Sequence, residues 1–340
     1  MLKHNQTAAV SEQINKKKLR AGLLLPDDLI VEILSWLPPK CAGRCKVVCK
    51  LWQAIIQSRH FIEQHMQRQD YIVVYPPTRL SPPLPVWPPD QQPFEYLFYL
   101  RGLLLERNMI RKRSYRIRNY GTNQVFELPD LIECLISGSM CYLPTSDDYK
   151  VSILHWKEND TDIDLKVLTK GTDVTWRCIE IPALLSCSKN NGDKVSSITI
   201  GSVSYITKSS QSGLKMMAFQ IEDERFVEIS LPWRVRFCAI GSLFFPMSWD
   251  RDFCIGRMVG EELHIWVLQD YKTSKWDERK IAFPSEVYPR LIPHCIFSGE
   301  VLVLIVPPIT RMLQVDYNMK TKTAHTTRIY HTLRPSLVSL

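Results

Sequence analysis

The 340-residue chain lacks the features that mark several large functional classes. No apolar run approaches the ~20 residues a membrane-spanning helix needs, and the longest, at 301–305, is strand-sized. Residues 1–20 are polar and Lys-rich, without the apolar core of a signal peptide, which predicts a cytoplasmic or nuclear location and no membrane partner. The ten cysteines include no C-x-x-C pair and sit mostly in apolar stretches, as free buried thiols of a reducing compartment would. Neither sign of charge dominates: 43 bases against 35 acids leave +8, well short of a nucleic-acid-binding arm. Catalytic signatures are missing as well. There is no G-x-S-x-G, no H-E-x-x-H, no G-x-x-x-x-G-K-[ST] and no G-x-G-x-x-G, and the eight histidines are scattered. These absences make an enzyme less expected without excluding one, and no cofactor or metal is expected. What is present, 45% hydrophobic and 23% charged residues, fits a soluble globular chain, and the length allows about two domains.

Four regions follow from the patterning. Residues 1–20 carry Lys16, Lys17, Lys18 and Arg20, a solvated tail or a weak nuclear-import patch. Residues 21–69 have helical periodicity. Pro26 suits the start of a helix, and Asp27 and Asp28 favour the positive end of its dipole. Ile30, Ile33, Leu34 and Leu37 recur at i, i+3, i+4 and i+7, and Pro38-Pro39 ends that helix. A second helix is predicted through Val47 and Val48, a third around Leu51, Trp52, Ile55 and Ile56, and a fourth from Phe61. A helical unit of fewer than ~50 residues buries little surface and needs a partner. Residues 70–93 read as a linker, with eight prolines within 76–93. Proline fixes φ and removes a donor, so a stiff, extended spacer is expected there, with a PxxP-type ligand at Pro82 and Pro85 as the alternative.

From residue 94 to 340 the pattern changes to strands, with an internal repeat. Five short strands run into a proline, at Pro129, Pro182, Pro232, Pro284 and Pro335, with intervals of 53, 50, 52 and 51 residues. Each follows another short strand and a polar turn such as Gly121-Thr122-Asn123. A period of ~50 residues made of several strands is the signature of a β-propeller, whose radial repetition protects strand edges. The fold class is therefore α+β by domain: small all-α helices joined by a Pro-rich linker to an all-β, propeller-like domain of five or six units, with a β-sandwich as the alternative.

Few residues outside this pattern suggest chemistry. Cys41, Cys45 and Cys49 fall at i, i+4 and i+8, which on one helix would share a face, but a fourth metal ligand is missing. Asp147-Asp148 and Asp160, Asp162 and Asp164 suit solvated turns. Arg107, Arg111, Lys112, Arg113, Arg116 and Arg118 form a basic run without an internal acid, either a contact for an acidic partner or a charged strand edge. Trp156, Trp233, Trp249 and Trp276 suit either packing between strands or a binding face.

The run LPDDLIVEILSWLP at 25–38 resembles the opening of an F-box, and Val47-Val48-Cys49-Lys50-Leu51-Trp52 resembles its closing signature, with Ser58-Arg59-His60-Phe61 similar to the tail that follows. Between them, Cys41, Ala42, Gly43 and Cys45 stand where the family carries larger apolar residues. The strand repeats at 176–182, 226–232 and 262–276 are similar to the F-box-associated domain of plant F-box proteins. This resemblance implies a receptor of an SCF ubiquitin ligase that docks a Skp-type adaptor, and through it cullin and a RING protein, while the β-domain binds a target protein. A non-ligase scaffold is the alternative. The adaptor-binding residues implied are Leu25, Pro26, Leu29, Ile30, Ile33, Leu34, Leu37, Pro38, Val48 and Trp52. Some of them must form the unit's own core, and the sequence does not separate the two sets.

Overall fold

A computed structural model describes residues 25–68, 72–74, most of 94–282 and the strand segments between 295 and 333. The basic tail at 1–20 and the Pro-rich stretch at 76–93 lie outside the described residues.

Four short α-helices open the described chain: α1 (Asp27–Ser35), α2 (Pro39–Arg44), α3 (Lys50–Gln57) and α4 (Arg59–Arg68), with a 3-10 turn at Cys45–Val47. Proline starts two of them. Pro26 is the N-cap of α1, and Pro38 caps α2 with Pro39 in its first turn, where a missing N–H costs nothing. The second predicted helix is thus shorter than expected. It breaks at Arg44, so Cys41 lies on α2, Cys45 in the 3-10 turn, and Cys49 caps α3 by accepting the Trp52 N–H. The three thiols do not share one helical face. Buried Ile30, Leu34, Ala42, Ile56 and Phe61 form one core cluster, with Leu37, Cys45 and Trp52 packed against it. Ala42 is fully buried there, so the small residue fills its position in the core without leaving the helix exposed.

Most of the remaining described chain is β-structure: three four-stranded antiparallel sheets, an eight-stranded sheet made of two further four-stranded antiparallel units, and a two-stranded pair. The first holds β2 (Phe94–Leu100), β3 (Leu103–Asn108), β4 (Tyr115–Asn119) and β5 (Val125–Glu127), and the second β6 (Cys134–Leu143), β7 (Asp148–Trp156), β8 (Ile163–Thr169) and β9 (Arg177–Ile179). The third holds β10 (Lys194–Ile200), β11 (Val203–Ser210), β12 (Gly213–Gln220) and β13 (Arg225–Glu228), and the fourth β14 (Phe244–Trp249), β15 (Asp252–Val259), β16 (Glu262–Asp270) and β17 (Lys275–Ala282). The fifth is β18 (Cys295–Ser298), β19 (Val301–Val306), β20 (Leu313–Asn318) and β21 (Thr323–Arg328). Its first strand pairs in parallel with β14, joining the last two units. This is the propeller-like architecture, and the proline repeat marks where each unit hands over to the next.

The apolar cores lie between units rather than within them. One cluster joins Leu105, Ile117 and Tyr115 of the first unit to Val151 and Ile153 of the second. Another joins Leu154 and Val167 to Ile206 and Phe219, and a third joins Tyr205 and Met216 to Phe253 and Trp266. The second and third sheets each bury both faces, one against each neighbour, as stacked blades must. Tryptophan reinforces the handover. Trp176 donates its indole N–H to the Pro129 carbonyl at 2.7 Å, and Trp276 donates to the Ser230 carbonyl at 2.9 Å. In both cases the last strand of one unit is fastened to the chain leaving the unit before it.

One strand departs from the sequence reading. β1 (Ile72–Val74) lies within the stretch read as linker, yet it pairs antiparallel with β22 (His331–Leu333). The Pro-rich segment therefore runs between two strands of the β-domain, after the chain has already joined it.

Candidate functional site

Helix α1 carries two apolar stripes. Ile30 and Leu34 face inward, and Leu34 is 1% exposed. Leu25, Leu29 and Ile33, spaced four apart, face outward, and Ile33 is 51% exposed. Trp36 continues the outer stripe at 64% exposure, its indole donating to Glu32 at 3.1 Å and its ring lying under Arg68. On the opposite side of the α2 turn, Val47, Val48 and Leu51 are also exposed, Val47 by 90%. These are large aliphatic and aromatic side chains on short helices whose polar alternatives would cost nothing in the folded chain. A surface of this kind within some thirty residues marks a docking site for another protein.

The residues singled out from the sequence divide accordingly. Leu25, Pro26, Leu29, Ile33, Pro38 and Val48 lie on the surface. Ile30 and Leu34 lie in the core, and Leu37 and Trp52 are half-buried against it. Trp36, Val47 and Leu51 are exposed as well and were missed as docking candidates, although their apolar character beside the motif was a visible signal.

The basic run of the first unit is folded into the sheet. Glu106, 1% exposed at its side chain, sits opposite Arg116 in the β3–β4 register and holds Arg116 at 2.7 Å and Arg118 at 2.5 Å. Arg107 pairs with its cross-strand partner Glu95. Arg116 also stacks 3.4 Å from the centre of the Phe94 ring. Only Arg111 and Arg113, at the β3–β4 turn, remain exposed among the described members of the run. The acid pairs serve turns: Asp147 accepts the Tyr142 hydroxyl, Asp148 faces Lys170, and Asp162 accepts the Ile163 and Cys187 N–H groups. Trp156 is buried, Trp276 half-buried and Trp233 exposed.

A charge cluster also joins the second and third units. Glu224, at the β12–β13 turn, takes both terminal nitrogens of Arg177 at 2.6 and 2.7 Å and Lys150 at 2.9 Å. Chiefly through the Arg177 hydrogen bonds, its carboxyl is pulled down to about 2. Burial acts in the other direction on thiols: Cys141 is pushed up to about 12 and Cys187 to about 11, which disfavours the thiolate at both. Cys41, Cys49, Cys134 and Cys178 are exposed rather than packed in the core. Among the described residues no group of three His, Cys, Asp or Glu is placed to hold a metal ion.

The family model of the F-box associated beta propeller domain matches residues 85–334, and that of the F-box domain matches residues 23–64. The chain belongs to the F-box proteins with an F-box-associated β-propeller domain. Its relatives in Arabidopsis thaliana include F-box protein At5g65850, 24% identical over 323 residues, covering 81% of this chain and 75% of that one. F-box protein At1g52495 from the same plant is 25% identical over 368 residues, covering 94% of this chain and 84% of that one. Among solved structures, TolB from Acinetobacter baumannii superposes on 70% of this chain and 55% of its own with a TM-score of 0.46 and 9% identity, a likeness too distant to inform function. The F-box and its associated domain together assign the chain, in general terms, to the substrate-recognition adaptors of SCF ligases, a class of non-catalytic subunits. The outer stripe of α1 belongs to the F-box, and the five-unit β-domain is the part of such a protein that takes targets.

Proposed function

We propose that this chain is the substrate receptor of a Skp–cullin–F-box ubiquitin ligase acting in the cytoplasm or nucleus. The F-box, taken as residues 21–69, docks on a Skp-type adaptor through Leu25, Pro26, Leu29, Ile33, Pro38 and Val48, with Trp36, Val47 and Leu51 exposed as further candidates. The adaptor brings cullin and a RING protein. The β-domain holds a target protein so that its lysines meet the charged ubiquitin-conjugating enzyme at high local concentration. No residue of this chain performs covalent chemistry in that scheme. The observation that carries it is the outward apolar stripe of α1, exposed among the described residues.

The test is co-expression of the full chain with a Skp-type adaptor, followed by size-exclusion chromatography. A stoichiometric complex is expected for the wild type and none for Leu29→Arg/Ile33→Arg, whose circular dichroism stays that of the wild type because both positions face solvent. Persistence of the complex in the double variant removes α1 from the interface. A complex that forms but recruits no cullin and transfers no ubiquitin replaces the ligase reading with a non-ligase scaffold.

A further inference from the structure

Helix α4 belongs to two cores at once. Its Phe61 and His65 are buried in the F-box, while Ile62 packs against the core shared by the first two β-units as well. Around Ile62 the two domains exchange charge. Glu63 of α4 takes Arg59 from its own helix at 3.0 Å and Arg101 from the β2–β3 turn at 3.2 Å. The guanidinium of Arg101 lies 4.1 Å from the centre of the Tyr142 ring, and that of Arg59 lies 5.4 Å from it. The Tyr142 hydroxyl donates to Asp147 at 2.5 Å, in the β6–β7 turn. Two cations, one aromatic ring and two carboxylates thus tie one helix to two adjacent hairpins.

The backbone at Arg101 makes this more than a chance contact. Arg101 has φ 50° and Gly102 φ 86°. Two consecutive positive angles are those of the tight hairpin turn whose first position favours Asn, Asp or Gly. An arginine there meets the steric cost that its Cβ imposes on the left-handed conformation, and the turn gains nothing from its long side chain. The gain lies across the domain boundary, at Glu63 and Tyr142. A second attachment follows at once. Only residues 69–71 separate α4 from β1, so the two ends are at most about 14 Å apart, and β1 is paired with β22.

We propose that the F-box is a fixed part of the β-propeller, docked through α4 on the β2–β3 and β6–β7 hairpins with Arg101 as the positioning residue. The adaptor-facing surface and the target-binding domain then keep one relative orientation, and the Pro-rich segment plays no part as a swivel between them. The inference rests on the contacts of α4 and holds whichever protein docks on α1.

Hydrogen exchange on the full chain tests it. In Arg101→Asn the turn keeps a residue suited to its backbone, so the β2–β3 amides hold their protection. Amides of α4 are expected to exchange several-fold to about tenfold faster, the size of one lost ion pair together with one cation–π contact. Those of α1 and α3 are expected to stay as in the wild type. Glu63→Gln should reproduce the effect, and the double variant should go no further than the stronger single one. Unchanged α4 exchange in both single variants overturns the proposal. So does an equal loss across α1, α3 and α4, which would make Arg101 a stabiliser of the F-box alone. Capture of the Skp-type adaptor is expected to survive Arg101→Asn, so failure here is distinguishable from failure of the adaptor reading.

Discussion

The two halves of this protein treat apolar residues in opposite ways. Within residues 25–51 the F-box exposes seven large apolar side chains, while the described β-domain, several times longer, exposes four: Val125, Val174, Trp233 and Val259. The β-domain places its apolar residues between successive sheets, where each unit completes its neighbour. The F-box has too few residues to surround a core on all sides and leaves one stripe of α1 uncovered. The first half is built to be completed by a partner. The second completes its described apolar cores between its own units.

The sharpest way to break that comparison is to move a charge from one stripe of α1 to the other. Leu34→Arg places a guanidinium in the F-box core and is expected to cost about 4 kcal/mol or more, because no acid waits there to receive it. Thermal unfolding monitored in the far ultraviolet should show the helical signal lost while the β signal keeps its own transition. Ile33→Arg, one residue away, is expected to leave both transitions within about 0.5 kcal/mol of the wild type. Similar destabilisation by both would mean that the two stripes do not differ in burial.

The β-domain has a counterpart in Glu106. Glu106→Ala leaves Arg118, buried, and Arg116, nearly so, without their carboxylate, and is expected to cost about 3–5 kcal/mol. Helices α1 and α3 should unfold as before, while α4, whose Ile62 packs on the core that holds Leu103 and Leu105 of β3, should loosen with the first unit. Replacement by an apolar residue together with Arg116→Met and Arg118→Met is expected to recover most of that loss. Failure of the triple variant to recover would show that the ion cluster does more than satisfy its own members.

Much of this division was legible in the sequence. The proline-terminated strands located the fourth strand of the first four units, because local chemistry is restated in each repeat, while the fifth, running into Pro335, ends in β22, which pairs with β1 instead of closing the fifth unit. The split of α1 was not legible. Leu25, Leu29 and Ile33 form one series and Ile30, Leu34 and Leu37 another, about 100° apart on the helix, and both are apolar. Only the position of α4 and α3 decides which series is covered. The basic run misled for a related reason. Its members are contiguous in sequence, but the acids that neutralise them, Glu95 and Glu106, are supplied by neighbouring strands. Arg101 gave no signal, since a contact to Glu63 depends on how two domains meet.

Acid separates the halves more gently. His65 of α4 is fully buried; its Nε2–H donates to the Leu37 carbonyl at 2.8 Å, while Nδ1 has no hydrogen-bond partner among the described residues. Burial lowers its pKa below the ordinary 6.5, so the folded F-box holds it neutral. In the unfolded chain the same ring takes a proton near its ordinary value. The unfolded state therefore binds more protons below about pH 6.5, and the contribution of His65, complete above that pH, is lost as pH falls. Glu224 in the β-domain titrates in a different window. Held down to about 2 by Arg177 and Lys150, it keeps its contribution until pH drops below the ordinary 4.5 and loses it toward 2. Between pH 7 and 5, then, the helices are expected to loosen while the junction of the second and third units stays intact. Hydrogen exchange at pH 7 and pH 5, corrected for the intrinsic rate, should show lower protection in α4 and no change around Glu224. His65→Gln keeps a donor for Leu37 without a titrating group and is expected to flatten the F-box response. If its α4 amides still lose protection on acidification, the sensitivity belongs to another group.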